Sequence, residues 1–283
     1  LTNLTPGEQG IGGSDNGYTN GRECIIGIEP ENYQERVMPI ADATAKRLCT
    51  EAFDADGDGK LTYGEAAAVT DLGTVLQGKL IKTFAELRYF TGLESIADDA
   101  FSGCTQLTTL QLPRNIKHIG ARAFKDCKKL TAVNLPTSLQ GIGEEAFSGC
   151  LVLRLSELPI GITTLENGLF RDCRAITAMT LPTAVEHLGD EAFSGCTKLG
   201  ELTVGSLFPQ HMTLGTDVFA NSSVATAVLH IQQGTRTYFE GDAQWSLFGT
   251  IKEHRNRTGS TFTTLTPNTK VYLYNVGSGR FLS

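Results

Sequence analysis

Four carboxylates crowd into twelve positions, where residues 54–65 read Asp-Ala-Asp-Gly-Asp-Gly-Lys-Leu-Thr-Tyr-Gly-Glu. Asp54, Asp56 and Asp58 fall at alternate positions, so their oxygens can converge on one hard cation. Gly59 permits the sharp turn that such a loop needs, and Lys60 offers its backbone carbonyl. Thr62 stands where a water-mediated ligand is common, Glu65 can close the site with both oxygens, and Leu61 faces inward. Without a cation, carboxylates this close repel one another. The spacing therefore predicts a Ca2+ site built from Asp54, Asp56, Asp58, Lys60, Thr62 and Glu65.

This twelve-residue pattern is that of the EF-hand loop. Flanking helices are expected from Ala41 to Phe53 and from Glu65 to about Leu72. Sensor loops of this type come in pairs, and the sequence holds no second one. Dockerin modules also use two loops, with Asp commonly last. A single loop ending in Glu reads instead as a structural staple, with an affinity of roughly 10⁻⁴–10⁻³ M.

The element beside the loop is written in a repeat. Cys104, Cys127, Cys150, Cys173 and Cys196 each follow the last by 23 residues. Phe101, Phe124, Phe147, Phe170 and Phe193 keep the same period, as do the Leu-Pro pairs that begin at Leu112, Leu135, Leu158 and Leu181. One coil reads L-x-x-L-x-L-P-x-x-I-x-x-I-G-x-x-A-F-x-x-C. The second and third leucines lie on one face of a short strand, at period two. Proline ends that strand because it has no N–H to give to a ladder. The I-x-x-I segment returns apolar residues to the interior, and A-F-x-x-C reads as a short helical turn on the opposite side. A coil cannot bury its apolar side alone, so coils must stack into a solenoid. The sixth coil slips: Phe219 comes 26 residues after Phe193, and Ser222 stands in the cysteine column, as expected of a capping repeat. Ser156 occupies a position that is Leu110, Val133, Met179 or Leu202 elsewhere, which predicts a local strand irregularity or a hydroxyl bonded to backbone, with Leu155 in an outward slot.

The segments "AFSGC", "AFKDC" and "LP…IG" resemble the BspA-like leucine-rich-repeat family over about 150 residues. The resemblance implies an α/β solenoid, right-handed and with 23-residue coils. It also implies a cell-surface or secreted location, with adhesion or host-component binding known for some members and no particular ligand. Cysteine follows the phenylalanine here, whereas the general leucine-rich consensus has Asn or Cys directly after the strand.

Equivalent residues of adjacent coils stack about 4.7–5 Å apart with their side chains parallel, which is wide for a disulfide's Cβ separation. The cysteine column is therefore expected to be a ladder of buried free thiols rather than disulfides or a metal site. Cys24 and Cys49, outside the column, are free to pair or not.

No G-x-S-x-G or H-E-x-x-H motif is present, and Gly73 to Lys79, which fits G-x-x-x-x-G-K, is followed by Leu80 where a phosphate loop has Ser or Thr, so catalysis is not expected. His118 and His187 share a column but stand three coils apart, about 14 Å by stacking, too far to share a metal. The outward strand positions are Thr109, Gln111, Ala132, Asn134, Leu155, Glu157, Ala178, Thr180, Glu201 and Thr203, which are mostly small or polar and offer no aromatic anchor. One coil departs from this: Arg114, Lys117, Arg122, Lys125, Lys128 and Lys129 face only Asp126, a local charge of +5. That makes it either a solvated convex face or an anion site for a sulfated glycan or acidic surface.

A net charge of −7 argues against nucleic-acid or anionic-membrane binding. Five segments are expected. Residues 1–36 are a Gly/Thr/Asn-rich leader with one apolar run, 37–78 the helical EF-hand-like cap and 79–235 the solenoid. Residues 236–254, with Tyr238, Trp245, Phe248 and Ile251, are a short amphipathic helical cap. Residues 255–283 are a truncated β module with a hairpin about Gly277-Ser278-Gly279, resembling the opening of ricin-type β-trefoil carbohydrate modules over about fourteen residues. The expected function is non-catalytic binding or adhesion to a host or matrix protein or glycan. The alternative is a spacer that displays a C-terminal carbohydrate-binding or anchoring module.

Overall fold

A computed structural model describes residues 32–206 and 209–254, together with the backbone of 273–275 and 280–282. The apolar columns dictate its architecture. Phe101, Phe124, Phe147, Phe170 and Phe193 are fully buried. Their rings stack in one file, with successive centroids 5.2, 5.4, 5.9 and 5.6 Å apart. Phe219 continues the file at 6.0 Å and Trp245 ends it at 5.3 Å.

Each coil contributes short parallel strands. In the first half these are Thr83–Phe84 (β1), Ser95–Ile96 (β2), Thr109–Leu110 (β3), His118–Ile119 (β4), Ala132–Val133 (β5) and Gly141–Ile142 (β6). In the second half they are Thr164–Leu165 (β7), Ala178–Leu181 (β8), His187–Leu188 (β9), Glu201–Val204 (β10), Thr213–Leu214 (β11), Val228–Gln232 (β12) and Thr250–His254 (β13). Leu110 pairs with Val133, and Ile119 with Ile142, so apolar residues fall in register on the inner face. This is a leucine-rich-repeat fold with parallel strands.

The A-F-x-x-C side is not helical. It is a run of single turns, with Lys125 N–H donating to the Arg122 carbonyl and Cys127 N–H to that of Phe124. The residue before each column cysteine, and before Ser222 in the same column, explains why. Gly103, Asp126, Gly149, Asp172, Gly195 and Asn221 all have φ between 56° and 75°. Only Gly, Asn and Asp adopt that left-handed conformation readily, and it stops the helix after one turn. The sequence alternation of "SGC" and "KDC" is this requirement written out. Coil-to-coil bonds then run along the turns, as from Phe124 N–H to the Ala146 carbonyl and from Asp126 N–H to that of Ser148, both at 2.8 Å.

Both strand ladders break at one place. One side divides into β1-β3-β5 and β8-β10-β12-β13, and the other into β2-β4-β6 and β7-β9-β11. The irregularity expected at Ser156 is present, but its form differs. Ser156 is exposed, while Leu155, expected outward, packs partly against the core. The Arg154 N–H bond to the Thr131 carbonyl, the Ser156 carbonyl accepting from Thr180 N–H, and an isolated Glu157–Thr180 bridge mark the missing strand. On the other side, Asn115 donates to the Thr91 and Leu93 carbonyls, and Ser138 to those of Arg114 and Ile116. Gly161, next in that column, has no side chain to continue the link.

The N-terminal segment is a helix–loop–helix, with α1 at Ala43–Phe53 and α2 at Tyr63–Ala68. Asp42 caps α1, and Thr62 with Glu65 forms a capping box at α2. The loop between them is tied to the preceding chain, with Met38 N–H donating to the Leu61 carbonyl and Tyr63 N–H to that of Arg36. Phe53 meets Phe90 edge-on at 6.1 Å and Tyr63 meets Tyr89 at 5.0 Å, which seats the segment on the first coil.

Residues 236–254 correct the expectation of an amphipathic helical piece. They hold a six-residue helix, Arg236–Gly241 (α3), and a 3₁₀ turn, Trp245–Leu247, before β13 joins β12 in parallel. The apolar residues are spaced for a further coil: Ile251 pairs with Leu229, and Trp245 takes the phenylalanine slot. The expected C-terminal hairpin is seen in backbone, where Leu273–Asn275 (β14) pairs antiparallel with Arg280–Leu282 (β15). No helix among the described residues is long and apolar enough to cross a membrane.

Candidate metal and binding sites

The loop at 54–65 brings three of its predicted ligands together. One carboxylate oxygen from each of Asp54, Asp56 and Asp58 lies within 4.8 Å of the others. Local bonds hold them there. Asp54 accepts from Gly57 N–H (2.8 Å) and Gly59 N–H (2.7 Å), Asp56 from Asp58 N–H (3.0 Å) and Asp58 from Lys60 N–H (2.8 Å). Gly59 has φ 79°, the turn expected of it. Three convergent carboxylates, with Asp56 and Asp58 exposed and Asp54 half-buried, fit a hard cation. Glu65 carries hydrogen bonds of its own. Its Oε1 accepts from Ala55 N–H, and its Oε2 from the Thr62 amide and hydroxyl, each at 2.8 Å. Burial raises the Glu65 pKa, but the bonds from Thr62, Ala55 and Asp56 outweigh it and hold the carboxyl below its usual range. Thr62 serves as the α2 N-cap, and the Lys60 ammonium pairs with Asp58 at 3.1 Å.

The cysteine column is a file of buried, free thiols. They are more than small hydrophobes. Each Sγ donates to a carbonyl of the preceding coil: Cys104 to Leu76, Cys127 to Phe101, Cys150 to Phe124, Cys173 to Phe147 and Cys196 to Phe170. The distances run 2.9, 3.2, 3.1, 3.1 and 3.2 Å in that order. A thiol reaches the neighbouring coil's backbone and still packs as an apolar group. Cys49 is buried as well, and Cys24, its candidate partner, lies outside the described residues.

Half of the basic coil's cations pair with acids of its neighbours. Lys117 pairs with Glu94 at 2.9 Å, Arg122 with Asp99 at 2.8 Å and Lys125 with Glu145 at 2.6 Å. Glu145 also meets Arg171, which meets Glu191, so a line of alternating charge crosses the turn side. Lys129 donates to Gln106 at 2.6 Å, and Arg114 and Lys128 are exposed. Three of the six cations are thus paired with acids of the coils on either side, so the local excess is smaller than the +5 count.

The outward strand face is clearest on β8-β10-β12-β13. Ala178, Glu201, Val228 and Thr250 form one row across it, and Thr180, Thr203, His230 and Lys252 the next. In the other half Asn134, expected as a free outward residue, binds the backbone N–H and carbonyl of Leu112. His118 and His187 lie in separate sheets, and His187 contacts the Thr213 hydroxyl.

Sequence reading missed the end of this face. His230 Nδ1 lies 2.7 Å from His254 Nε2 beside a groove of about 330 Å³ lined by Glu201, Thr203 and Gln232. The usable signal was the return of Leu229 in Ile251, which extends the strand side by one coil.

Residues 86–232 match the profile of the BspA type leucine rich repeat region in six copies. The chain belongs to the BspA-type leucine-rich-repeat family. Among solved structures it is 31% identical to a T. pallidum leucine rich repeat protein, over 49% of this chain and 68% of that one, with a TM-score of 0.39. It is 29% identical to a leucine rich cell surface protein of Faecalibacterium prausnitzii, over 50% of this chain and 37% of that one, with a TM-score of 0.44. The pneumococcal vaccine antigen PcpA is 17% identical, over 60% and 45% of the two chains, with a TM-score of 0.43. The chain thus spans well under half of the F. prausnitzii protein. No curated protein sequence matches it.

Proposed function

We propose that the chain is a non-catalytic binding or adhesion protein of the bacterial cell surface or secreted medium. Its stacked coils, repeating every 23 residues, present the outward strand face to a host or matrix protein or glycan. The observation that carries this reading is the four-stranded β8-β10-β12-β13 face, where side chains of four successive coils stand in register. Membership of the BspA-type family supports the surface setting. The small, polar surface of Thr109, Gln111 and Ala132 at the other end favours a second reading, in which that half only spaces. An array of matrix proteins and glycans probed with the full chain separates the two. Binding that is lost in Thr180→Arg/Thr203→Arg and kept in Lys128→Glu supports recognition by this face. Binding indifferent to the double variant, or none, would leave the spacer.

The helix–loop–helix is read as an EF-hand-type cap that Ca2+ staples to the solenoid. Asp54, Asp56 and Asp58 would hold the ion, with Lys60, Thr62 and Glu65 on the same loop. Bound Ca2+ would supply charge neutralisation to three carboxylates that otherwise repel one another. The seating of Phe53 and Tyr63 on Phe90 and Tyr89 supports a structural role, since order in the loop is passed directly to the first coil.

A further inference from the structure

The strand face ends on a pair of imidazoles. His230 points outward from β12 and His254 is the last residue of β13, so neighbouring coils set the two rings side by side. Their centroids are 4.9 Å apart and their planes are inclined by 38°. The facing nitrogens, His230 Nδ1 and His254 Nε2, are 2.7 Å apart. At that distance only one of the two can carry a hydrogen, and the other must offer its lone pair.

We propose that His230 and His254 form a site for a late first-row divalent cation such as Zn2+, Ni2+ or Cu2+, with Glu201 as its acidic neighbour in the groove. Imidazole nitrogen is the ligand these ions favour, whereas Ca2+ takes oxygen, so the site is chemically separate from the aspartate loop. Burial, then His254 and Lys252, lower the His230 pKa against the opposing pull of Glu201. Both effects favour the neutral ring, which has a lone pair to give.

The geometry needs a small adjustment. Two nitrogens on one tetrahedral Zn2+ at about 2.0–2.1 Å stand about 3.3 Å from each other. The rings must part by roughly 0.6 Å from their 2.7 Å contact. His254 is exposed on the edge strand and can turn that far. Each neutral ring keeps one proton throughout. The ring that donates across the pair shifts its proton to its outer nitrogen as the cation enters, so the neutral pair releases none. Water completes the shell, and Glu201 lines the same groove as an acidic neighbour.

The test is calorimetric titration of the full chain with Zn2+ at neutral pH, in saturating Ca2+. The expected result is one Zn2+ per chain, weakened roughly tenfold or more by either His230→Asn or His254→Gln. Asp54→Ala and Cys24→Ser should retain the site. Circular dichroism and thermal melts confirm that each variant folds. No Zn2+ uptake by the wild-type chain, or wild-type affinity in either histidine variant, would reduce the pair to a shared-proton contact and overturn the proposal.

Discussion

Asp42 Oδ2 accepts the backbone N–H of Lys82 at 2.8 Å, across 40 positions of sequence. Its Oδ1 accepts from Thr44 and Ala45 at 2.9 and 3.0 Å, so one carboxylate both caps α1 and fastens it to the first coil. Asp42→Ala should cost about 2–3 kcal/mol, a cap plus a charge-assisted bond, measured by urea denaturation. Burial raises the Asp42 pKa, but the amides of Lys82, Ala45, Thr44 and Thr83 outweigh it and the net shift is downward. A depressed folded pKa stabilises above the unfolded value, near 3.8, and that contribution is lost as pH falls through the folded value. Wild type should therefore lose its advantage over Asp42→Asn in acid and hold it at neutral pH.

Calcium should raise the thermal midpoint of the cap. With an affinity of roughly 10⁻⁴–10⁻³ M, a concentration near 10 mM should add about 1.4–2.7 kcal/mol. Asp54→Ala should abolish that increment, read by differential scanning calorimetry with Ca2+ and with chelator. An equal shift in wild type and variant would place the ion elsewhere.

The buried thiols should be inert until the solenoid opens. Burial pushes the pKa of Cys104 up to about 11 and of Cys49 and Cys196 to about 12, with Cys127, Cys150 and Cys173 raised further. Little thiolate exists near pH 8, and the thiolate is the reactive form. A thiol reagent should modify these six only in denaturant. Cys173→Ala leaves the Phe147 carbonyl without its donor and should cost about 1–3 kcal/mol.

Trp245 ends the ring file and is the only tryptophan. Its Nε1 is buried without a protein acceptor among the described residues. Trp245→Ala should cost about 3–5 kcal/mol. Trp245→Phe restores the column's own residue and removes the orphaned donor, so it should cost no more than about 1.5 kcal/mol. Equal losses in the two variants, by urea denaturation, would show that the ring file does not extend to this coil.

The inward columns were legible because each coil repeats the same burial demand, and Phe101 to Phe193 answer it identically. What escaped depends on contacts between coils. The charge on Arg122 and Lys125 could not be judged from their own segment, since Asp99 and Glu145 approach from the coils before and after. Glu65 was read as a ligand because the motif places it there, while its carboxylate also accepts from the N-cap amide of Thr62 and the loop amides of Ala55 and Asp56. His230 and His254 look scattered until Leu229 and Ile251 are recognised as one column. Trp245 hid the final coil by replacing phenylalanine with a different aromatic.

The double break at Ser156 and Gly161 has a mechanical consequence. Across that junction the strand sides carry little backbone bonding, while Phe147 N–H still bonds the Leu169 carbonyl and Gly149 N–H that of Arg171 on the turn side. A rod fastened along one edge bends about that edge. The two halves should flex there as stiff segments on a pivot of stacked rings, opening and closing the strand side. Amides from Ile162 to Leu165 exchanging with solvent faster than their equivalents in neighbouring coils would register that motion.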